Sequence, residues 1–115
     1  MQDNLHGLLI NNKIYPLDAL LDLCENIKDD KSVPEWEKKA YSFIEEWIDD
    51  KDFVWQTSSG TTGNPKKLKL PKKSMVLSAR KTCKIFDLRF GNTVLLCLPI
   101  DYIAGKMMIV RAFVY

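Results

Sequence analysis

An α/β fold is predicted by three observations. Helical and strand periods follow one another along the chain, with apolar stripes at 3.6-residue spacing in residues 17–49 and β-favouring runs from Phe53 onward. A nearly all-apolar run, Thr93 to Leu98, has the composition of a strand buried on both faces. The 46% apolar and 28% charged content over 115 residues is that of an ordinary globular chain.

The elements read as follows. Leu17 to Ile27 places Leu17, Leu20, Leu21, Cys24 and Ile27 on one helical face, with Asp18, Asp22 and Glu25 on the other. A polar break, Lys28 to Pro34, contains Ser32 and Glu35 at the spacing of a capping box. A second helix is expected from about Pro34 to Asp49, burying Trp36, Ala40, Phe43, Ile44, Trp47 and Ile48. Residues 52–56 carry Phe53, Val54 and Trp55 and read as a strand. A hydroxyl- and glycine-rich loop follows, Thr57 to Pro65. Lys66 to Leu70 alternates lysine and leucine as a half-exposed strand does. Pro71 to Asp87 reads as a helix with Val76, Ala79, Cys83 and Phe86 on its stripe, and Gly91-Asn92 as a turn. After the apolar run, Pro99 to Gly105 is a loop and Lys106 to Tyr115 starts another helix. This order divides the chain into an N-terminal helical region, 1–52, and a strand–helix region, 53–115. The final run, Val110 to Tyr115, has no Gly, Pro or polar stop signal, as in the first portion of a larger unit.

Composition excludes several classes of function. The odd count of three cysteines, Cys24, Cys83 and Cys97, without a C-x-x-C pair, argues against a disulfide scaffold and against a zinc site. His6 is the only histidine, so no metal site or histidine-based catalytic residue is assigned. No apolar run reaches the ~18–20 residues of a membrane span, and Met1 to Tyr15 lacks the basic start and apolar block of a secretory signal; the expected location is cytoplasmic.

Charge is divided unevenly. Residues 1–56 hold 13 acids and 6 bases; residues 57–115 hold 2 acids and 11 bases. A basic half can accompany an anionic partner, or simply face water. Lys66, Lys67, Lys69, Lys72, Lys73, Arg80, Lys81 and Lys84 crowd together, which opens the alternative of a nucleic-acid-binding module. Against it, Phe86 and Phe90 are not interleaved with the cluster as a stacking platform requires.

The loop Ser58-Ser-Gly-Thr-Thr-Gly-Asn-Pro-Lys66 has the ingredients of a phosphate clamp. Gly60 and Gly63 let main-chain N–H groups approach an anion, Ser58, Ser59, Thr61 and Thr62 can donate hydroxyl hydrogen bonds, and Lys66 adds a point charge. It is not a Walker A loop, because Pro65 stands where that motif needs glycine. The order of residues resembles the signature loop T-S-G-T-T-G-x-P-K of the adenylate-forming (AMP-binding) superfamily, with serine in place of the leading threonine. Leu98-Pro-Ile-Asp-Tyr-Ile-Ala-Gly105 resembles that superfamily's downstream Leu-Pro-x-x-His-x-x-Gly stretch, with Tyr102 where many members carry histidine. The run Leu95 to Arg111, together with Pro34 to Glu37, is similar to compact o-succinylbenzoate–CoA ligases of menaquinone biosynthesis.

The resemblance implies an acyl-CoA synthetase-type ligase. ATP with Mg²⁺ activates a small-molecule carboxylic acid as an acyl-adenylate, and coenzyme A then takes the acyl group. It implies that Ser58, Ser59, Gly60, Thr61, Thr62, Gly63 and Lys66 hold the nucleotide's phosphates, and that Tyr102 and Gly105 line the acyl pocket. It further implies an N-terminal fragment of the large domain: two leading helices, then an incomplete strand–helix layer. The superfamily's later adenine, ribose and C-terminal lysine motifs have no counterpart in these 115 residues. Alone, the chain is therefore expected to be a catalytically inactive fragment.

Overall fold

The computed structural model describes residues 7–58, 63–89 and 91–114. In chain order it contains β1 (Leu8–Ile10), β2 (Lys13–Tyr15), α1 (Leu17–Lys28), α2 (Glu35–Ile48), β3 (Phe53–Thr57), β4 (Lys67–Pro71), α3 (Lys72–Ile85) and α4 (Ile103–Val114). The architecture is mixed α/β, with four helices among the described residues and two small antiparallel sheets, β1–β2 and β3–β4.

The first sheet was not legible in the sequence reading. Asn11 and Asn12, at φ 50° and 66°, form the two-residue turn that suits a tight hairpin, and Leu8 pairs with Tyr15. The signal was an Asn-Asn pair between two short apolar runs.

Helix α1 packs on α2, α2 touches α4, and α3 packs along α4. Leu20, Cys24, Phe43, Ile44, Trp47, Val54, Ala79 and Val110 form the centre of one continuous core. Three expected stripe members fall outside it: Leu21, Trp36 and Phe86 are exposed. Leu21 lies at the edge of its stripe, Trp36 in the first turn of α2 and Phe86 at the C-cap of α3, just past the helix's last residue. In α3 the buried stripe is Lys72, Met75, Ala79 and Cys83.

The expected capping box does not form. Pro34 is the N-cap of α2 and makes no side-chain cap bond; its carbonyl accepts from the N–H groups of Glu37 and Lys38. Ser32 turns to Asp30 instead, its main-chain N–H donating to Asp30 Oδ1 at 2.9 Å. At the other end of α3, Asp87 at φ 52° makes a Schellman stop. Leu88 N–H donates to the Cys83 carbonyl at 2.8 Å and Asp87 N–H to the Lys84 carbonyl at 3.3 Å.

The largest correction concerns Thr93 to Leu98. It is not a strand, and its side chains are not buried on two faces: Leu95 is 77% exposed, and Val94 and Leu98 are also exposed. Among the described residues no strand lies alongside it, so its main chain has no ladder to join and its apolar side chains no second layer to meet.

Candidate functional site

Strands β3 and β4 pair in strict register, from Phe53 opposite Pro71 to Thr57 opposite Lys67. Beyond the last pair the two chains remain joined. Ser58 N–H donates to the Lys66 carbonyl at 2.7 Å, and Lys66 N–H donates to Ser58 Oγ at 3.0 Å. The first residue of the candidate phosphate loop therefore holds the last, and the segment between them leaves and returns at one point. Gly63 lies at φ 116°, in the region open to glycine, and a Cβ there would meet nothing within 4 Å. Its glycine is required by the backbone's conformation and not by crowding. The Lys66 side chain is exposed at the base of the loop. Ser59, Gly60, Thr61 and Thr62 lie outside the described residues.

A cleft of about 330 Å³ opens beside the start of this loop, lined by Lys39, Ser42, Phe43, Glu46, Trp55, Thr57, Ile100, Asp101 and Lys106. Its organisation follows from β3 being an edge strand. The main-chain groups of Trp55 point away from β4 and are met by side chains. Glu46 of α2 accepts from Trp55 N–H at 2.7 Å, and Lys106 of α4 donates Nζ to the Trp55 carbonyl at 2.9 Å. Side chains thus cover an edge that would otherwise be free to pair. Gln56 Nε2 donates to the carbonyls of Asp101 and Thr57 at 3.0 and 3.1 Å, and Lys39 forms an ion pair with Asp101 at 3.1 Å.

Lys106 is about nine-tenths buried and stands 5.7 Å over the Phe43 ring. Burial pushes its pKa down from 10.5, and the charges of Glu46 and Asp101 work in the opposite direction. Sequence reasoning did not single out Lys106, Glu46 or Gln56. For Lys106 a signal existed: a charge among the apolar residues of the first two turns of α4, where Arg111 near the end is the only other one.

Tyr102 and Gly105, expected at an acyl pocket, stand in the turn before α4 and in its first turn. Tyr102 is exposed, with its N–H donating to the Pro99 carbonyl at 3.3 Å. Gly105 is buried against the Pro99 main chain, where a Cβ would overlap the carbonyl oxygen. Neither lines the cleft.

A second buried lysine is structural. Lys72 pairs with Asp49 Oδ1 at 2.7 Å, also donates to the Asp49 carbonyl, and gives its main-chain N–H to the Asp52 carbonyl. This ties the end of α2 to the start of α3. On the exposed face of the hairpin, Lys67 stands 4.5 Å over Trp55 and Lys69 stands 4.7 Å over Phe53. Among the described residues no group of His, Cys, Asp and Glu could hold a metal ion, and no helix is long and apolar enough to cross a membrane.

Comparison with solved structures finds an acyl-CoA synthetase (AMP-forming)/AMP-acid ligase II-like protein from Dyadobacter fermentans. It is 34% identical, with a TM-score of 0.66 over 80% of this chain. The chain spans about a quarter (26%) of that structure's length. No protein-family profile and no curated protein matches the chain. The structural likeness supports the AMP-forming acyl-CoA synthetase superfamily, and the mixed α/β arrangement matches part of an adenylate-forming domain.

Proposed function

We propose that this chain carries the phosphate-binding portion of an AMP-forming acid–CoA ligase, with the loop from Ser58 to Lys66 as its nucleotide clamp. The observation that carries the reading is the closure of that loop by Ser58 and Lys66, on a sequence order that resembles the superfamily's signature. Closure fixes the two ends of the loop, Ser58 and Lys66, between which an anion would be held. Gly63 keeps one wall open to close approach, and Lys66 contributes positive charge at the base. When bound, Mg-ATP would supply the α-phosphorus that a substrate carboxylate attacks, the bond to pyrophosphate breaking as the acyl-adenylate forms. The chain's part is to hold the departing phosphates, so that charge developing on them meets fixed donors instead of reorganising water. Among the described residues no group of His, Cys, Asp and Glu could hold Mg²⁺. The similarity of Leu95 to Arg111 to o-succinylbenzoate–CoA ligases supports an aromatic dicarboxylate as the acid and a role in menaquinone biosynthesis. Coenzyme A would be the thiol acceptor. On this reading the chain by itself completes neither half-reaction.

The test is a titration of the isotope-labelled chain with Mg-ATP and with Mg-tripolyphosphate, followed by amide resonances. Saturable shifts at Ser58, Gly63 and Lys66, abolished by Lys66→Ala, are expected with both. No shift at those amides with either would overturn the reading.

A second reading, nucleic-acid binding, gains one observation: Lys67 and Lys69 lie directly over Trp55 and Phe53, an interleaving absent from the sequence cluster itself. Binding of a mixed-sequence single strand that weakens steeply with salt would favour it over the ligase reading.

A further inference from the structure

We infer that Lys106 and Gln56 are positioning residues that lock the turn 99–106 to Trp55 and Gln56 of β3, so that this turn sets the placement of Ser58 and Lys66, the two ends of the phosphate loop. Its consequence for nucleotide binding rests on the function proposed above; the lock itself does not.

The geometry is specific. Lys106 crosses from α4 to the Trp55 carbonyl at 2.9 Å, and Gln56 crosses back from β3 to the Asp101 carbonyl at 3.0 Å. The two bonds run in opposite directions between the same two segments and bracket the turn, one at its middle and one at its end. The turn is internally tied: Tyr102 N–H donates to the Pro99 carbonyl, Lys106 N–H donates to the Tyr102 carbonyl, and Gly105 sits against the Pro99 main chain. The Trp55 carbonyl lies three residues before Ser58, whose bonds to Lys66 close the loop. A displacement of the turn is therefore carried to the loop through a short, paired stretch of strand. Lys106 is an expensive way to satisfy one carbonyl, because a charged amine is taken out of water to do it. A purely apolar side chain would fill the same space, so the amine's contribution is the bond to the strand.

The experiment is amide hydrogen exchange on the whole chain, comparing wild type with Lys106→Met. This change keeps length and apolar bulk and removes the donor. The lock predicts that exchange at Ser58 and Lys66 speeds up by about tenfold, the factor of one lost hydrogen bond, while Leu20 and Cys24 in α1 stay within about twofold. Unchanged exchange at Ser58 and Lys66 would overturn the inference. So would acceleration in step with α1, which reports general loss of stability. Should Lys106→Met fail to fold, Gln56→Ala, at a less buried position, is judged by the same comparison. Mg-tripolyphosphate affinity is then read on the same samples. If wild type does not bind it, the proposed function falls and the exchange result still decides the lock.

Discussion

Gly105 lies directly against the main chain of Pro99, so close that a Cβ on residue 105 would overlap the Pro99 carbonyl oxygen. The start of α4 and the turn before it are in backbone contact, and any side chain at 105 would force them apart. Gly105→Ala is expected to destabilise the fold by about 3 kcal/mol, the upper range for overpacking, because backbone cannot rotate away as a side chain could. Denaturant unfolding measures this. A change under about 0.5 kcal/mol would mean the contact is loose.

The Lys72–Asp49 pair predicts an asymmetry. Lys72 is 1% exposed and Asp49 is 29% exposed. Removing the lysine leaves a carboxylate that water can reach and that still accepts from Lys51 N–H. Removing the carboxylate leaves a buried ammonium beside a main-chain carbonyl. Asp49→Ala is therefore expected to cost about 3 kcal/mol and Lys72→Met about 1 kcal/mol. Equal or reversed losses in thermal unfolding would contradict this.

Thiol chemistry should separate the cysteines. Cys97 is exposed, whereas Cys24 and Cys83 are buried, and burial pushes both of their thiols up. Thiolate is the reacting form, so iodoacetamide on the folded chain should modify Cys97 and spare the other two until denaturant is added. Peptide mass mapping showing Cys24 modified under native conditions would be the contrary result.

Alkaline pH should weaken the fold, and Cys24 supplies one identifiable share. Burial, and after it the charge of Glu45, raises its pKa from 9.0 to about 11. Below pH 9 the thiol is protonated whether folded or unfolded, and its contribution is fully present. Between pH 9 and pH 11 the unfolded chain loses the proton first, and stability falls by about 2 kcal/mol. Lys106 acts oppositely: its pKa is lowered, so the cost of burying its charge is relieved as pH rises toward 10.5. Comparing wild type with Cys24→Ala isolates the thiol. The stability difference between them should shrink by about 2 kcal/mol from pH 8 to pH 11; a constant difference would refute the assignment.

Helices α1, α2 and α3 were legible almost to the residue because helical hydrogen bonds are local and one buried stripe leaves a 3.6-residue period in the sequence. Strands β3 and β4 were legible for a similar reason: β-favouring residues flank a run of Gly, Thr and Asn. Which stripe members stay in the core was decided by neighbours. Trp36 and Phe86 have the spacing of buried residues, yet no element covers them among those described.

By itself the sequence determined the helices, the hairpin and the order of residues in the loop, since each is written within a few consecutive positions. Only the tertiary structure decided that Thr93 to Leu98 forms no strand, because a strand exists through a partner that may lie anywhere in the chain. It alone decided that Ser58 grips Lys66, that Glu46 and Lys106 complete the two main-chain bonds of Trp55, and that Gln56 reaches Asp101. These contacts join residues 8 to 51 positions apart, and distance along the chain leaves no periodic trace from which to read them.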